Sequence, residues 1–496
     1  MKKQDINALI NLAARRAIIL PAFSIYGDIG GFYDYGPIGT RIRNNIIALW
    51  RSTFIEGMGN LEVDTTIVAP SPVFEASGHL SNFADPIIAC QKCKTGYRAD
   101  KLLEALYEAR DDKSAMSLLK GATFQKMEEL LKKEELKCEK CGDPLSKSKI
   151  QNFNLMLGTK IGASGDLVGY LRPETAQGIF MDFKAIFRTG GLKLPIAIGQ
   201  VGKVFRNEIS PRRVLIRLRE FSQMELEYFI DPDHKEFVIN NRKVDLEKAL
   251  KTKINILPAD VKDKEYITLS LKECLEKEYV PGAFFCYLLH VQKEFFISLG
   301  FPEDSIRFRQ VQPEERAHYS KGTIDVEARI EDGWEEISGD AYRTDFDLRS
   351  HEKHSKSDMS VINEDKKIVP HVVELSVGLD RLFWTLLANS LYMDEKRGWE
   401  VLKLAKAAPY DYVVFPLQKD EKLVEKALEI EEKLKQRGRS CLYSSTGSIG
   451  KRYARADEVG IPKAITVDFQ TLEDGTVTIR DAITTEQERV EVGKIR

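Results

Sequence analysis

A chain of 496 residues is too long for one hydrophobic core and divides into two or three domains. With 30% charged and 43% apolar residues it has the composition of a soluble globular protein, and a net charge of −2 excludes a generally basic nucleic-acid coat, so RNA contacts must come from local, salt-sensitive basic patches. No apolar run approaches bilayer length, MKKQDINALINLAARR has the spacing of an amphipathic helix rather than a cleavable signal, and seven cysteines, four of them in two CxxC pairs, suit a reducing cytosol, so the expectation is a cytoplasmic protein without a membrane segment.

Pro37 stands where a helix starts, and Ile38, Ile42, Ile46 and Leu49 follow at helical spacing. Gly57–Asn60 stops that helix, Leu61–Val68 reads as a strand, and Pro70 ends it. CQKC (Cys90, Cys93) and CEKCG (Cys138, Cys141) bracket a stretch of charged helical sequence. Paired CxxC knuckles suit tetrahedral thiolate coordination of zinc; the alternative is four unrelated thiols. Gln151–Tyr170 is strand-like around a glycine-rich turn, and LRPETAQGIF opens a helix at Pro173 with Glu174 in its first turn.

Val201–Ile230 reads as two strands joined by a short basic loop. Val204, Arg206 and Glu208 share one face of the first strand, and Arg219, Phe221, Gln223, Glu225 and Glu227 share one face of the second. Met224, Leu226, Tyr228 and Ile230 form the opposite, core face. The charged face is either the solvated side of an antiparallel sheet or a polar floor for a zwitterionic or phosphorylated ligand.

Asp231–Pro281 is rich in Lys and Glu and reads as an inserted or lid-like subdomain. Phe284–Gly300 is an apolar helix, Ile306–Val311 a strand, and Gly333–Leu348 pairs acids with turn-forming Gly and Asp. His371–Ser376 is a strand, Gly378 a turn, and Leu379 onward an amphipathic helix. Arg381 starts that helix beside a glycine that permits close approach of a ligand, unless it merely pairs with a nearby acid. Lys406–Pro409 is a linker. A βαβ rhythm follows, with strands at Asp411–Pro416, Ser440–Tyr443 and Ala464–Phe469 and a helix at Lys419–Arg437. The basic helix Ser448–Val459, with Lys451, Arg452 and Arg455, faces either RNA or solvent, and Thr471–Ile479 is a hairpin around Asp474-Gly475. Gly447–Lys451 is no P-loop, because its glycines are too close and Arg452 replaces the Ser/Thr. Lys353–Ser357 lacks the Rossmann context that its likeness to a class I synthetase signature requires.

FRNE, a loop and RLREF resemble motif 2 of the class II aminoacyl-tRNA synthetases, and REFSQMELEYF is similar to its glycyl-tRNA synthetase form. The helix, strand and Pro of residues 37–70 resemble motif 1, and GLDR after a strand resembles motif 3. YGPIG, FADP, YRAD (Tyr97–Asp100), RPETAQG and GWEEISGDAYRTDFDL resemble the glycine-specific family. The resemblance spans nearly the whole chain. It implies an α/β (α+β) fold: an antiparallel class II catalytic core flanked by helices in residues 1–89 and 151–405, a zinc-binding insertion at 90–150, an insertion at 231–283, and a C-terminal α/β anticodon-binding domain at 406–496.

The same resemblance implies ATP-dependent attachment of glycine to tRNA(Gly) through a glycyl-adenylate, with Mg²⁺, structural zinc on the four cysteines, and a homodimer built on motif 1. Arg206 then meets the α-phosphate, Arg381 the terminal phosphate and one adenine face, Phe221 the other face, Glu208 the adenine edge, and Glu336 holds Mg²⁺, while Arg219 assists the phosphates. Asn207, Ile216, Arg217, Leu218, Glu220, Ile337, Gly378, Leu379 and Asp380 complete the ATP set. The glycine set is Arg98, Glu174, Phe221, Ser222, Gln223, Met224, Glu225, Glu374, Leu375, Ser376, Val377 and Gly378, with Arg343 a further candidate. Glycine offers only its ammonium and carboxylate, so a surplus of acceptors at Glu174, Glu225, Glu374 and Ser376 would grip the ammonium and crowd out a methyl group. Two rivals stand beside this reading: a synthetase for another small amino acid, and a retired paralogue serving as a nucleic-acid-binding accessory subunit. The second should have lost Arg206, Glu208 and Arg381, which are present.

Overall fold

The computed structural model describes residues 5–27, 29–119, 122–209, 211, 213–233, 238–239, 242–261, 265–317, 319–331 and 333–495. Its centre is a nine-stranded sheet. In spatial order the strands are Ile267–Ser270, Lys253–Leu257, Ile306–Gln310, Gly322–Ile330, Gly333–Thr344, His371–Gly378, Glu220–Ile230, Ile196–Phe205 and Leu61–Glu62. Neighbours run antiparallel except Lys253–Leu257 beside Ile306–Gln310 and Ile196–Phe205 beside Leu61–Glu62.

Strand Glu220–Ile230 is paired on both sides, Glu225 lying between Gln200 and Ser376. Its apolar face behaves as its period of two requires. Met224, Leu226 and Tyr228 are fully buried in one core with Ile42, Ile46 and Trp50 of helix Pro37–Trp50 and with Leu379, Leu382 and Phe383 of helix Leu379–Ser390. The polar face is buried too: Gln223 is 8% exposed, Glu225 1% and Glu227 0%. A solvated face is thereby excluded, and buried carboxylates on this scale require partners or a ligand.

Several elements differ from the sequence reading for identifiable reasons. Leu61–Val68 is not one strand: Leu61–Glu62 closes the sheet edge, while Val68–Pro70 pairs with Leu167–Leu171 in a separate sheet. Between them the Arg172 guanidinium donates to Thr65 O at 2.8 Å, and on its other side to Lys203 O at 2.8 Å. The first strand of the motif 2 pair ends at Phe205, so Arg206 and Glu208 stand in the loop beyond it. The helix expected from Pro173 starts at Ala176, because Pro173 O accepts from Arg206 Nε and the Thr175 N–H is taken by Glu225. Within Asp231–Pro281, read as an inserted or lid-like subdomain, Lys253–Leu257 and Ile267–Ser270 extend the far edge of the main sheet.

The cysteine-rich insertion has its own small core, with Leu103, Tyr107, Leu130 and Leu131 buried between helices Ala99–Ala109 and Phe124–Lys133. The C-terminal region is a five-stranded sheet with helices Glu421–Gln436 and Ile449–Glu458. Asp474-Gly475 is not a hairpin turn. Asp468 caps the short helix Phe469–Asp474 through the Thr471 N–H at 3.0 Å, and Gly475 ends it at φ +71°; the hairpin turn falls instead between strands Thr476–Asp481 and Gln487–Glu491. Arg452 faces neither solvent nor RNA: it is 3% exposed and donates to the carbonyls of Pro416 and Leu417. Among the described residues no helix is long and apolar enough to cross a membrane.

Candidate active site

One face of the sheet floors a cleft of about 380 Å³ that Arg206 and Arg381 both line. At its open end the arginines are held by backbone. Arg206 donates through Nε to Pro173 O at 3.1 Å, and its guanidinium lies 5.4 Å from the Phe83 ring and 5.2 Å from the Phe221 ring. Arg381 donates to Ile216 O at 3.0 Å and Glu336 O at 3.2 Å, and stands 3.6 Å from the Glu336 carboxylate. It therefore pairs with an acid, yet remains 30% exposed on the cleft wall. Glu208, Ile216, Arg217, Leu218, Ile337, Gly378 and Asp380 also line the cleft. The Asp380 carboxylate is committed, accepting from Tyr35 Oη and the Ser222 N–H, each at 2.6 Å.

Four expected ATP residues do not line it. Arg219 is spent on Glu208 O at 3.0 Å and Gly30 O at 2.7 Å. The Asn207 N–H donates to Leu155 O, Glu220 pairs with Lys203, and Leu379 is in the core. The facing wall was not foreseen: it carries Arg309, Glu315, Arg316, Tyr319 and Asp325. Arg309 pairs with Asp325 and, at 3.1 Å, with Glu327. Burial, with the Glu336 charge second, pushes the Asp325 carboxyl up to about 8. An ideal Cβ on Gly339 would lie 3.6 Å from Glu336 Oε1 and 3.9 Å from Asp325 Oδ1, so the two carboxylates converge over one glycine. Two hard oxygen donors facing a phosphate-sized space fit Mg²⁺.

The inner end is a buried ionic network. Glu225 Oε2 accepts from the Thr175 N–H at 2.8 Å and from its hydroxyl, and Oε1 accepts from Ser376 Oγ at 2.7 Å. Glu174, 7% exposed, accepts from Gln177 at 2.8 Å and lies 3.5 Å from His79 and 3.7 Å from Arg343. Arg343, 0% exposed, grips Asp347 through two bonds of 2.8 and 2.9 Å and Glu374 at 3.0 Å, and the Tyr319 ring lies over it at 3.8 Å. One guanidinium is shared among three carboxylates. Burial accordingly drives the Glu374 carboxyl up to about 8 against the pull of Arg343, whereas His79 and Arg343 outweigh burial at Glu174 and hold it well below the usual range. Burial and the neighbouring Glu174 charge raise Glu225. Glu227, neither of whose oxygens has a hydrogen-bond partner among the described residues, is driven well up by burial. Arg343 thus partners Asp347, Glu374 and Glu174, while Glu225 rests on Thr175 and Ser376, and a site with more carboxyl groups than cations favours a small cation. The Gln223 carbonyl oxygen on this wall is buried with no hydrogen-bond partner among the described residues.

Phe221, Gly378, Gln223, Glu225, Glu174, Glu374 and Ser376 of the expected glycine set line the cleft. Met224, Leu375 and Val377 do not, because strand alternation turns them into the core. Ser222 Oγ accepts from Arg43 at 3.0 Å, and Arg98 is held by Asp85 and Asp100 at the border of the cysteine-rich module.

The thiols of Cys90, Cys93, Cys138 and Cys141 all lie within 4.8 Å of one another, with Cys90–Cys141 and Cys93–Cys138 at 3.5 Å, and none is in a disulfide. Thiolates about 2.3 Å from a tetrahedral zinc stand about 3.8 Å apart, so the donor set fits. The Thr95 hydroxyl, foremost, holds the Cys93 thiol down to about 6.

Residues 411–496 match the anticodon binding domain family. The chain is 36% identical to a glycine–tRNA ligase of Methanocaldococcus jannaschii over 100% of this chain and 98% of that protein, and 38% identical to that of Pyrococcus furiosus over 100% and 98%. It is 35% identical to that of Methanothermobacter thermautotrophicus over 98% and 97%. The fold is shared with Giardia lamblia prolyl-tRNA synthetase in complex with prolyl-adenylate, at a TM-score of 0.59 and 13% identity over 99% of this chain and 74% of that one. With full-length identities of this size on a class II sheet, the chain belongs to the glycyl-tRNA synthetase family.

Proposed function

We propose that this chain attaches glycine to tRNA(Gly) in two steps, activating it first as the adenylate. The observation that carries this is the cleft itself: Arg206 and Arg381 line its open part, and the acids Glu174, Glu225 and Glu374 close its inner end. Glycine's ammonium enters the acid end, where Glu225, Glu374 and the Gln223 carbonyl accept from it. Its carboxylate oxygen then attacks the α-phosphorus, the bond to the β-phosphate oxygen breaks, and pyrophosphate leaves toward Arg381. Arg206 neutralises charge gathering on the α-phosphate. No side-chain nucleophile is used; catalysis is alignment plus electrostatic stabilisation. Glu336 and Asp325 would hold Mg²⁺, which would supply charge neutralisation of the phosphates. The terminal adenosine hydroxyl of tRNA next attacks the adenylate carbonyl and AMP leaves, with the C-terminal domain reading the anticodon. Phe221 and Arg381 enclose the adenine, with Glu208 at its edge.

The four cysteines hold a structural zinc, and the enzyme works as a cytoplasmic homodimer through helix Pro37–Trp50. Elemental analysis should find one zinc per chain, and a metal-free preparation with an intact insertion would remove the zinc assignment. Glycine-dependent ATP–pyrophosphate exchange, run beside alanine, serine, threonine and proline, tests the function. Exchange with glycine alone, followed by charging of tRNA(Gly), is expected. Exchange with another amino acid in glycine's place, or none with glycine, overturns it.

A further inference from the structure

Helix Ile449–Glu458 of the C-terminal domain ends on two acids, Asp457 and Glu458. The carboxyl end of a helix carries partial negative charge, so it is an unfavourable place for acids. Burial makes it more so, since Asp457 is 1% and Glu458 5% exposed. Both are compensated by cations that reach them mostly from the other domain. Asp457 accepts from Arg397 at 2.8 Å and from the Trp399 indole at 3.1 Å, besides a two-bond pairing with Arg480 of its own domain. Arg397 also donates to Ala482 O at 2.8 Å and Ile483 O at 3.2 Å. Glu458 accepts from Arg15 at 2.9 Å and from Arg16, while Arg15 reaches Glu400 at 3.1 Å.

The elements that supply these cations are tied to the catalytic site. Arg397 and Trp399 belong to the hairpin of strands Leu391–Asp394 and Trp399–Leu402, which continues directly from helix Leu379–Ser390, the helix that carries Arg381. Arg15 ends helix Ile6–Arg15, whose Leu9, Leu12 and Ala13 share a core with Leu379, Leu382 and Phe383. One helix end in the C-terminal domain therefore grips two segments that both rest on the Arg381 helix.

We infer that Asp457 and Glu458 are positioning residues that lock the anticodon-binding domain to the catalytic body and so fix the angle at which tRNA enters the cleft. This rests on the tRNA-charging function above. Breaking a buried charge pair is costly because the partner is left without compensation, so each latch variant loosens the domain contact rather than trimming it.

The test compares Glu458→Gln, Arg16→Gln, their double variant and Arg397→Gln with the wild-type full-length chain. The KM for tRNA(Gly) in charging should rise about tenfold or more, while glycine-dependent pyrophosphate exchange stays within about twofold. The double variant should be no worse than the poorer single one, as for residues in one contact. Small-angle scattering should show larger maximum dimensions for the variants. An unchanged tRNA KM, or an equal fall in charging and exchange, overturns the latch. If the wild-type chain exchanged nothing with glycine, the function itself would fail, and unaltered scattering of the variants would then overturn the latch by itself.

Discussion

The two ends of the cleft hold their charges in opposite ways. At the open end Arg381 and Glu336 keep 30% and 49% of their side-chain surface in solvent, and the arginines are tethered through backbone carbonyls. At the inner end Arg343, Asp347, Glu374 and Glu174 are all at least nine-tenths buried and bind one another directly. A polyphosphate brings its own charge and must leave again as pyrophosphate, so the groups that meet it stay hydrated and movable until it arrives. An ammonium is small and carries one charge, and a dry, prebuilt surround of acceptors is what distinguishes it from water.

On that contrast, damage at the inner end costs folding as well as chemistry, whereas damage at the open end costs chemistry alone. Arg343→Gln should lower unfolding free energy by about 3–5 kcal/mol in urea titration, because three buried carboxylates lose their shared cation. A loss within surface-mutation range would break the comparison. Arg381→Ala should leave that titration nearly unmoved while reducing pyrophosphate exchange on the order of 10³-fold, with tRNA binding retained. Loss of tRNA binding alone would refute its placement at the phosphates. Glu225→Ala should reduce glycine activation by roughly 10²-fold or more, and near-normal exchange would reject the acid end as the ammonium site.

The smallest effect is on pH. Glu374 rises from 4.5 to about 8 in the folded chain. Between those values the folded state holds a proton that the unfolded state has released, so its contribution is full at low pH and is lost as pH rises through about 8. Unfolding free energy of the wild type relative to Glu374→Gln should therefore decline from about pH 4.5 to about 8. Parallel curves for the two proteins would show that Glu374 does not carry this proton. Glu174, held low, acts in the opposite sense and loses its contribution on acidification.

Legibility followed the range of the signal. The period of two in REFSQMELEYFI placed Glu225 and Gln223 on one face and Met224 on the other, as found, yet the glycine set drawn from contiguous motif residues also took in Met224, Leu375 and Val377, which that same alternation turns away. Arg309 and Asp325 sit on strands whose polar–apolar alternation is visible in Thr323, Asp325 and Glu327 against Ile324, Val326 and Ala328. No motif marks them, so only the register that sets Arg309 opposite Asp325 brings them to the site.

By itself the sequence determined local periodicity, the cysteine spacing, the three motifs and hence the family, because each is written within a few turns or one strand of chain. What covers a face was decided only by the tertiary structure. The polar side of Glu220–Ile230 became a dry pocket, and Arg343 its counter-ion, because segments more than a hundred residues away in the chain fold over it. The same holds for Asp457 and Glu458, two acids at a helix end whose burial depends on arginines from the other domain. A residue's neighbours along the chain set its direction; its neighbours in space set whether that direction meets water, a charge or a substrate.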